Sequence, residues 1–193
     1  MIRLASPTDA VAILAIYAPY IRNTSLTFET GVPPVADFAN RIRSYMEYFP
    51  WLVYEEQGQV RGYAYASRYR EREAYQWSVE CSVYIHDDHH RSGIARKLYS
   101  VLFELLKAQG FTTVYAVINL PNDPSVAFHE SMGFRYFATY EKVGYKLGKW
   151  KNVGWWQLQL NDYIMEPPAP IHFSQLDHGI ITETLDRVNK QSS

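Results

Sequence analysis

The stretch VYIHDDHHRSGIARKLY, residues 83–99, constrains the fold more than any other part of the chain. An apolar strand-like run stops at a knot of Asp and His, a Ser-Gly pair follows, and a strongly patterned helix begins. Ile94, Leu98, Val101, Leu102 and Leu105 draw one apolar stripe down that helix. Gly110 ends it, as a glycine just past the last turn does. Thr112–Ile118 reads as the next strand, rich in β-formers. A strand-helix-strand unit commits the chain to layers of helix on sheet, and such sheets bind ligands at the carboxyl ends of their strands. This places residues 86–93 where a ligand would sit.

The flanking segments extend the same pattern. Ile2–Ala5 reads as a short strand. Ser6, Pro7 and Asp9 read as a helix start, with Ile13, Ile16, Tyr17 and Tyr20 at helical spacing behind them. Residues 23–34 read as a loop, and Phe38, Ile42 and Tyr45 mark a second helix. WLVYEEQGQVRGYAYAS is a hairpin turning at Gly58, and Ser78–His86 is the strand that enters the knot. Ser125–Met132 reads as a short helix, and strand, loop and strand run on to about Leu160. The order β-α-α-β-β-β-α-β-α-β-β predicts a mixed α/β domain over residues 1–165. EPPAP is expected to end the compact part. Residues 166–193 then form a C-terminal tail with one weak amphipathic patch, Ile180–Val188.

Composition narrows the function. A chain of 193 residues with 47% apolar and 20% charged residues suits one globular domain. A net charge of −1 argues against nucleic acid as a partner. One cysteine fits a reducing cytoplasm, and no apolar run approaches membrane-spanning length. The 16 Tyr and 5 Trp predict an aromatic-lined pocket, an oligomer interface, or both.

Two chemistries use a junction like that at residues 86–93. Metal binding would need Asp87, Asp88, His89 and His90 to converge. Adjacent side chains in a loop diverge and no second Cys or His cluster accompanies them, so no metal is expected. Anion binding needs free amides at a helix start. Gly93 permits the turn, the helix dipole favours negative charge, and Arg91 and Arg96 add charge nearby. The hexapeptide HRSGIA alone also fits an ordinary turn.

Longer blocks add to it. His90-x-x-Gly93-x-Ala95 resembles the pyrophosphate motif of the GNAT superfamily of N-acetyltransferases, Gln/Arg-x-x-Gly-x-Gly/Ala. LPNDPSVAFHESMGF resembles the second cofactor region of that superfamily. AYQWSVECSVYIHDDH, AVINLPNDPSVAFHE and GYKLGKWKNVGWWQ are similar to the phosphinothricin acetyltransferase family, over about residues 2–160. His90 departs from the usual Gln or Arg, which puts a side-chain contact to phosphate at that position in doubt.

The resemblance implies a GNAT fold, a mixed central β-sheet flanked by helices, with acetyl-CoA as cosubstrate. It implies that backbone groups of Val83 and Ile85 hold the pantetheine arm like an added strand, with Tyr84 between them in the cofactor site. The amides of His90, Arg91, Ser92, Gly93, Ile94, Ala95 and Arg96 would cradle the pyrophosphate, with Asn122 and Ser125 across the cleft. Glu80 matches the family's acid and is the expected general base, though a strand Glu paired with an Arg is the plainer reading of that position. His129 stands where most superfamily members carry a Tyr that protonates the departing thiolate. It could serve as acid, as shuttle, or as packing beneath the coenzyme. Cys81 alternates to the opposite side of the strand and is expected to point away from the cleft. Phe28 and Arg72 fall where the family builds its acceptor pocket, with Tyr75 and Trp77 beside them. Arg72 also reads as solvated surface. Lys146 and Trp150 would close the pocket or face a partner, since related enzymes are commonly homodimers.

The expected reaction is acetyl transfer to the α-amine of a small amino-acid-like acceptor of the phosphinothricin, methionine sulfoximine or methionine sulfone type. The alternatives are another amine, such as a polyamine or a protein N-terminus, or a non-catalytic acyl-CoA-binding sensor. A metal-dependent hydrolase comes last.

Overall fold

A computed structural model describes residues 1–190. The strands are β1 (Ile2–Leu4), β2 (Trp51–Glu56), β3 (Gln59–Arg68), β4 (Ser78–Ile85), β5 (Thr113–Leu120), β6 (Arg135–Lys146) and β7 (Lys149–Gln159). The helices are α1 (Ala10–Asn23), α2 (Val35–Tyr48), α3 (Ile94–Gln109), α4 (Asp123–Ser131) and α5 (His178–Lys190). The strands form one seven-stranded sheet in the order β1-β2-β3-β4-β5-β7-β6. Its only parallel pair among the described residues is β4–β5, the unit that α3 connects. The sheet and its flanking helices agree with the fold expected from the sequence.

Strand alternation sends apolar side chains to both faces. On β2, Leu52 joins one buried cluster while Trp51 and Val53 join the other. The first cluster is capped by α3, whose Leu98, Leu102 and Leu105 are fully buried, each contributing roughly 1.5–3 kcal/mol. The second is covered by α1 and α2 through Ile13, Tyr17, Phe38 and Ile42.

The sheet splits along one seam. β4 and β5 pair only from Ser78↔Thr113 to Glu80↔Tyr115, although β4 runs on to Ile85 and β5 to Leu120. Beyond Glu80 each arm keeps its outer neighbour: β4 stays on β3 to Gly62↔Ile85, and β5 stays on β7 to Leu120↔Asn152. The gap between the arms is therefore a built feature of the sheet.

The chain after EPPAP is not a loose tail. Phe173, Leu176 and Ile181 belong to the core cluster beneath α3. Asn189 accepts from the Ile2 amide at 2.7 Å and donates to the Ile2 carbonyl at 2.9 Å, pairing with the open edge of β1. Gln109 donates to the carbonyls of Tyr48 and Ile171, tying the ends of α2 and α3 to this segment. The proline run reads as an exit because it has no periodicity, and α5 offers too few apolar residues to announce its docking. The last three residues assigned to the tail, 191–193, lie outside the described residues. Among those described, no helix is long and apolar enough to cross a membrane.

Candidate active site

The amide of His86 donates to the Arg61 carbonyl on β3 at 2.8 Å. Backbone groups alternate sides along a strand, so those of Cys81, Val83 and Ile85 face the open seam. The seam widens into a cavity of about 470 Å³ lined by Val83, Tyr84, Ile85, His90, Arg91, Asn122, Ser125 and His129. That volume falls within the range of small-molecule sites. The residues expected to hold the arm of a coenzyme, and those expected across from it, all line this cavity.

The start of α3 adjoins it. A second, smaller cavity shares Ile85 and Arg91 with the first and is lined by Ser92, Gly93, Ile94, Ala95 and Arg96. Gly93 has φ 82° and nothing lies within 4 Å of where its Cβ would stand, so the loop turns there and leaves the space above it open. The first intrahelical backbone bond runs from the Lys97 amide to the Gly93 carbonyl, which leaves the amides of Ile94, Ala95 and Arg96 at the helix start without an intrahelical partner. His90, the departure from the motif, is exposed, with its ring laid back on the end of β4. Its Nε2 lies 2.9 Å from the Tyr20 hydroxyl, which itself donates to the Ile85 carbonyl at 2.7 Å.

On α4, the Asn122 side chain caps the helix by accepting from the Ser125 amide at 3.3 Å. One turn on, His129 is almost fully buried. Its Nδ1 lies 2.8 Å from the Ser125 carbonyl, which can only accept, so Nδ1 carries the proton. Nε2 is left bare and faces the Tyr99 hydroxyl at 3.2 Å. Burial pushes the imidazole's pKa down, opposed by the Ser125 carbonyl. His129 is a neutral ring with both nitrogens engaged.

Glu80 stands at the last residue pair before the seam opens. It lines a separate cavity with Tyr65, Ser25, Phe28, Glu29 and Asn119, on the face covered by residues 24–29. Burial raises its carboxyl pKa, and Arg70, 3.6 Å away, opposes the shift. Arg70 in turn lies over the rings of Tyr69 and Trp155. Glu29 is paired with Arg41 at 2.6 Å. Phe28 lines this cavity, its ring against Gly144 of β6. Lys146, buried by the same hairpin, donates to the Thr27 carbonyl at 2.7 Å and helps hold this covering segment, whereas Trp150 is 61% exposed.

Three expected acceptor residues lie elsewhere. Arg72 is exposed at the start of a 3-10 turn, Glu73–Tyr75. Tyr75 is exposed against Tyr69, and the Trp77 indole donates to the Pro168 carbonyl at 2.8 Å. None of them lines the cavity that holds Glu80, and Arg70 meets that cavity only through its 3.6 Å approach to Glu80. The strand ends at Arg68, so the regular spacing that would aim a side chain is lost, and Arg70 rather than Arg72 reaches Glu80. Cys81 also needs correction. It does alternate away from Glu80, but the seam is open on that side too, and Cys81 lines the same cavity as Tyr99 and His129. Burial raises its thiol to about 12, so it is no nucleophile at neutral pH. Among the described residues no group of three or more His, Cys, Asp or Glu could hold a metal ion.

Arg70, Tyr99 and Asn119 were not singled out from sequence. Arg70 hides in a charged run, Tyr99 in the apolar face of α3, and Asn119 as a lone polar residue in a buried strand.

A split parallel pair, a helix start open to an anion and a carboxylate at the seam together define an acyl-CoA-dependent transferase. The comparisons with known proteins agree. Residues 2–155 match the acetyltransferase (GNAT) domain family, and the chain belongs to it. It is 39% identical over 170 residues to a phosphinothricin N-acetyltransferase of Streptomyces viridochromogenes, covering 88% of this chain and 92% of the relative. It is 34% identical over 166 residues to an L-methionine sulfoximine/L-methionine sulfone acetyltransferase of Salmonella typhimurium, covering 84% of this chain and 95% of that one. A crystal structure of a GNAT superfamily phosphinothricin acetyltransferase from Sinorhizobium meliloti in complex with acetyl-CoA superposes with a TM-score of 0.84. That pair is 31% identical, covering 91% of this chain and 97% of the other. The protein is an acetyl-CoA-dependent acetyltransferase of this type.

Proposed function

We propose that the acceptor is the α-amine of a small amino acid whose side chain ends in a tetrahedral, oxygen- or nitrogen-bearing group, as in phosphinothricin, methionine sulfoximine or methionine sulfone. The observation that carries this reading is the Glu80–Arg70 pair at the mouth of the seam. An α-ammonium must lose a proton before it can attack the thioester. Glu80 is assigned as its base, through a water, a role worth roughly 10²–10⁴-fold. Arg70 is assigned to the α-carboxylate, which a guanidinium binds in bidentate fashion. The amine then attacks the thioester carbon directly, the C–S bond breaks, and the thiolate of coenzyme A takes a proton. Tyr99 and His129 line the coenzyme cavity for that last step.

A polyamine acceptor is the second reading, because Glu29 and Glu80 both line the acceptor cavity. Pairing with Arg41 removes much of the attraction of Glu29 for a cation. A thiol-release assay with acetyl-CoA decides between them. Turnover is expected with at least one of the three amino acids and little with spermidine. Robust turnover of spermidine alone would overturn the acceptor and leave the reaction standing.

The enzyme is further proposed to work in the cytoplasm as a homodimer. Support for the dimer comes from the hairpin of β6 and β7, where Tyr136, Phe137, Tyr140, Val143, Tyr145 and Trp150 are all exposed. Sedimentation equilibrium tests it.

A further inference from the structure

The coenzyme and acceptor cavities share a wall made of Leu26, Ser82, Tyr84, Val117 and Asn119. Three of these five carry side-chain polar groups, and two of the three have polar side chains close by. The Ser82 hydroxyl has Tyr65 as a polar neighbour, and the Tyr84 hydroxyl has Tyr17 and Thr27. Asn119 is different. The residue is 7% exposed, and its Nδ2 has no hydrogen-bond partner among the described residues. Its Oδ1 is met only by the Ser25 hydroxyl at 3.5 Å. Buried amides are rarely left unpaired in a folded chain, and one that lines two ligand cavities is accounted for by a ligand atom.

Which ligand follows from the geometry of the sheet. Tyr115, Val117 and Asn119 alternate onto the face that carries Glu80, and Ser25 lines the acceptor cavity and not the coenzyme cavity. The carboxamide is thus on the acceptor side. Glu80 is level with Tyr115, and Asn119 is four residues further along β5, a rise of roughly 13 Å. The reach of the two side chains shortens that span to the length of a small amino acid. With the amine at Glu80 and the carboxylate at Arg70, the far end of the acceptor's side chain lies at Asn119.

We infer that Asn119 is a specificity-determining residue whose Nδ2 donates a hydrogen bond to the oxygen-bearing end of the acceptor. A sulfone, sulfoximine or phosphinate oxygen completes the bond, and a thioether sulfur, a weak acceptor, does not. This inference rests on the amino-acid reading of the acceptor site.

The test compares methionine sulfone with methionine, two acceptors that differ only at that end. Asn119→Leu removes the donor at similar size. It is expected to lower kcat/KM for the sulfone relative to methionine by roughly three- to tenfold, the weight of one neutral hydrogen bond, with KM for acetyl-CoA unchanged. Asn119→Asp serves as a second variant should the first unfold. It keeps the volume, repels an anionic end, and is expected to lower turnover of phosphinothricin more than that of methionine. An unchanged preference in a folded variant overturns the assignment alone, as does a loss confined to the KM for acetyl-CoA. Failure of the unaltered enzyme to acetylate any of these amino acids overturns the acceptor reading and this inference with it.

Discussion

The guanidinium of Arg70 lies 3.6 Å from the carboxylate of Glu80, at the residue pair where β4 and β5 part. Burial pushes the Glu80 pKa up and Arg70 pulls it down, so the group's basicity is set by two opposed causes. Arg70→Met keeps the stem and removes the charge. The Glu80 pKa then rises further, and the carboxylate needed as base is lost at a higher pH. The acid limb of kcat/KM is therefore expected to move to higher pH, with a raised KM for the acceptor. Glu80→Gln is the companion variant. Its kcat should fall by roughly 10²–10⁴-fold while coenzyme A still binds in a calorimetric titration. Near-full turnover with an unshifted profile would reduce Glu80 to a structural role.

Phe28 and Gly144 form a second such contact. A Cβ at Gly144 would lie 2.4 Å from the Phe28 ring, so Gly144→Ala must displace either the hairpin or the segment that covers the acceptor cavity. Overpacking of this kind costs about 1–3 kcal/mol. The KM for the acceptor should rise, with that for acetyl-CoA little changed. Adding Phe28→Ala should restore much of the lost stability, a coupling that thermal unfolding of the four proteins in the cycle measures directly. Strictly additive losses would mean that the two residues do not meet.

Gly93 tests the anion site by itself. At φ 82° a valine is strained, although the space around the position is open. Gly93→Val should therefore melt somewhat lower yet remain folded, while the amides at the start of α3 shift and its side chain enters the space left for phosphate. Titration with coenzyme A is expected to show a loss of affinity. Unchanged affinity in a folded variant would remove the pyrophosphate from this loop.

Regular structure was the legible part of this chain. The apolar stripe from Ile94 to Leu105 fixed α3, the glycine before it fixed the turn into that helix, and strand alternation put Glu80 and Cys81 on opposite sides. What could not be read lay where periodicity stops. Past Arg68 no rule of spacing says whether Arg70 or Arg72 turns inward. The seam itself is invisible in sequence, because β4 and β5 each look like complete strands and only their register shows that they separate. Asn119 matters because of what fails to bond to it, a property of the assembled wall.

The C-terminal segment shows the same limit and yields the last expectation. Among the described residues β1 pairs with no strand but β2, and Asn189 fills its outer edge by bonding both the amide and the carbonyl of Ile2. Ile181 anchors the same helix in the core, while the ion pair of Arg187 with Glu104 is half-exposed and adds little. Asn189→Ala gives up two hydrogen bonds to backbone, a loss of about 1–3 kcal/mol that water partly offsets at this half-buried edge. Ile181→Asp puts an unpaired charge into the core and should cost more. Both variants are expected to lower Tm. Neither should change kcat or the KM for acetyl-CoA at a temperature where the protein is folded, because α5 lies on α3 and β1 and lines neither the coenzyme nor the acceptor cavity. A fall in kcat without a fall in Tm would instead tie the C-terminal helix to the active site.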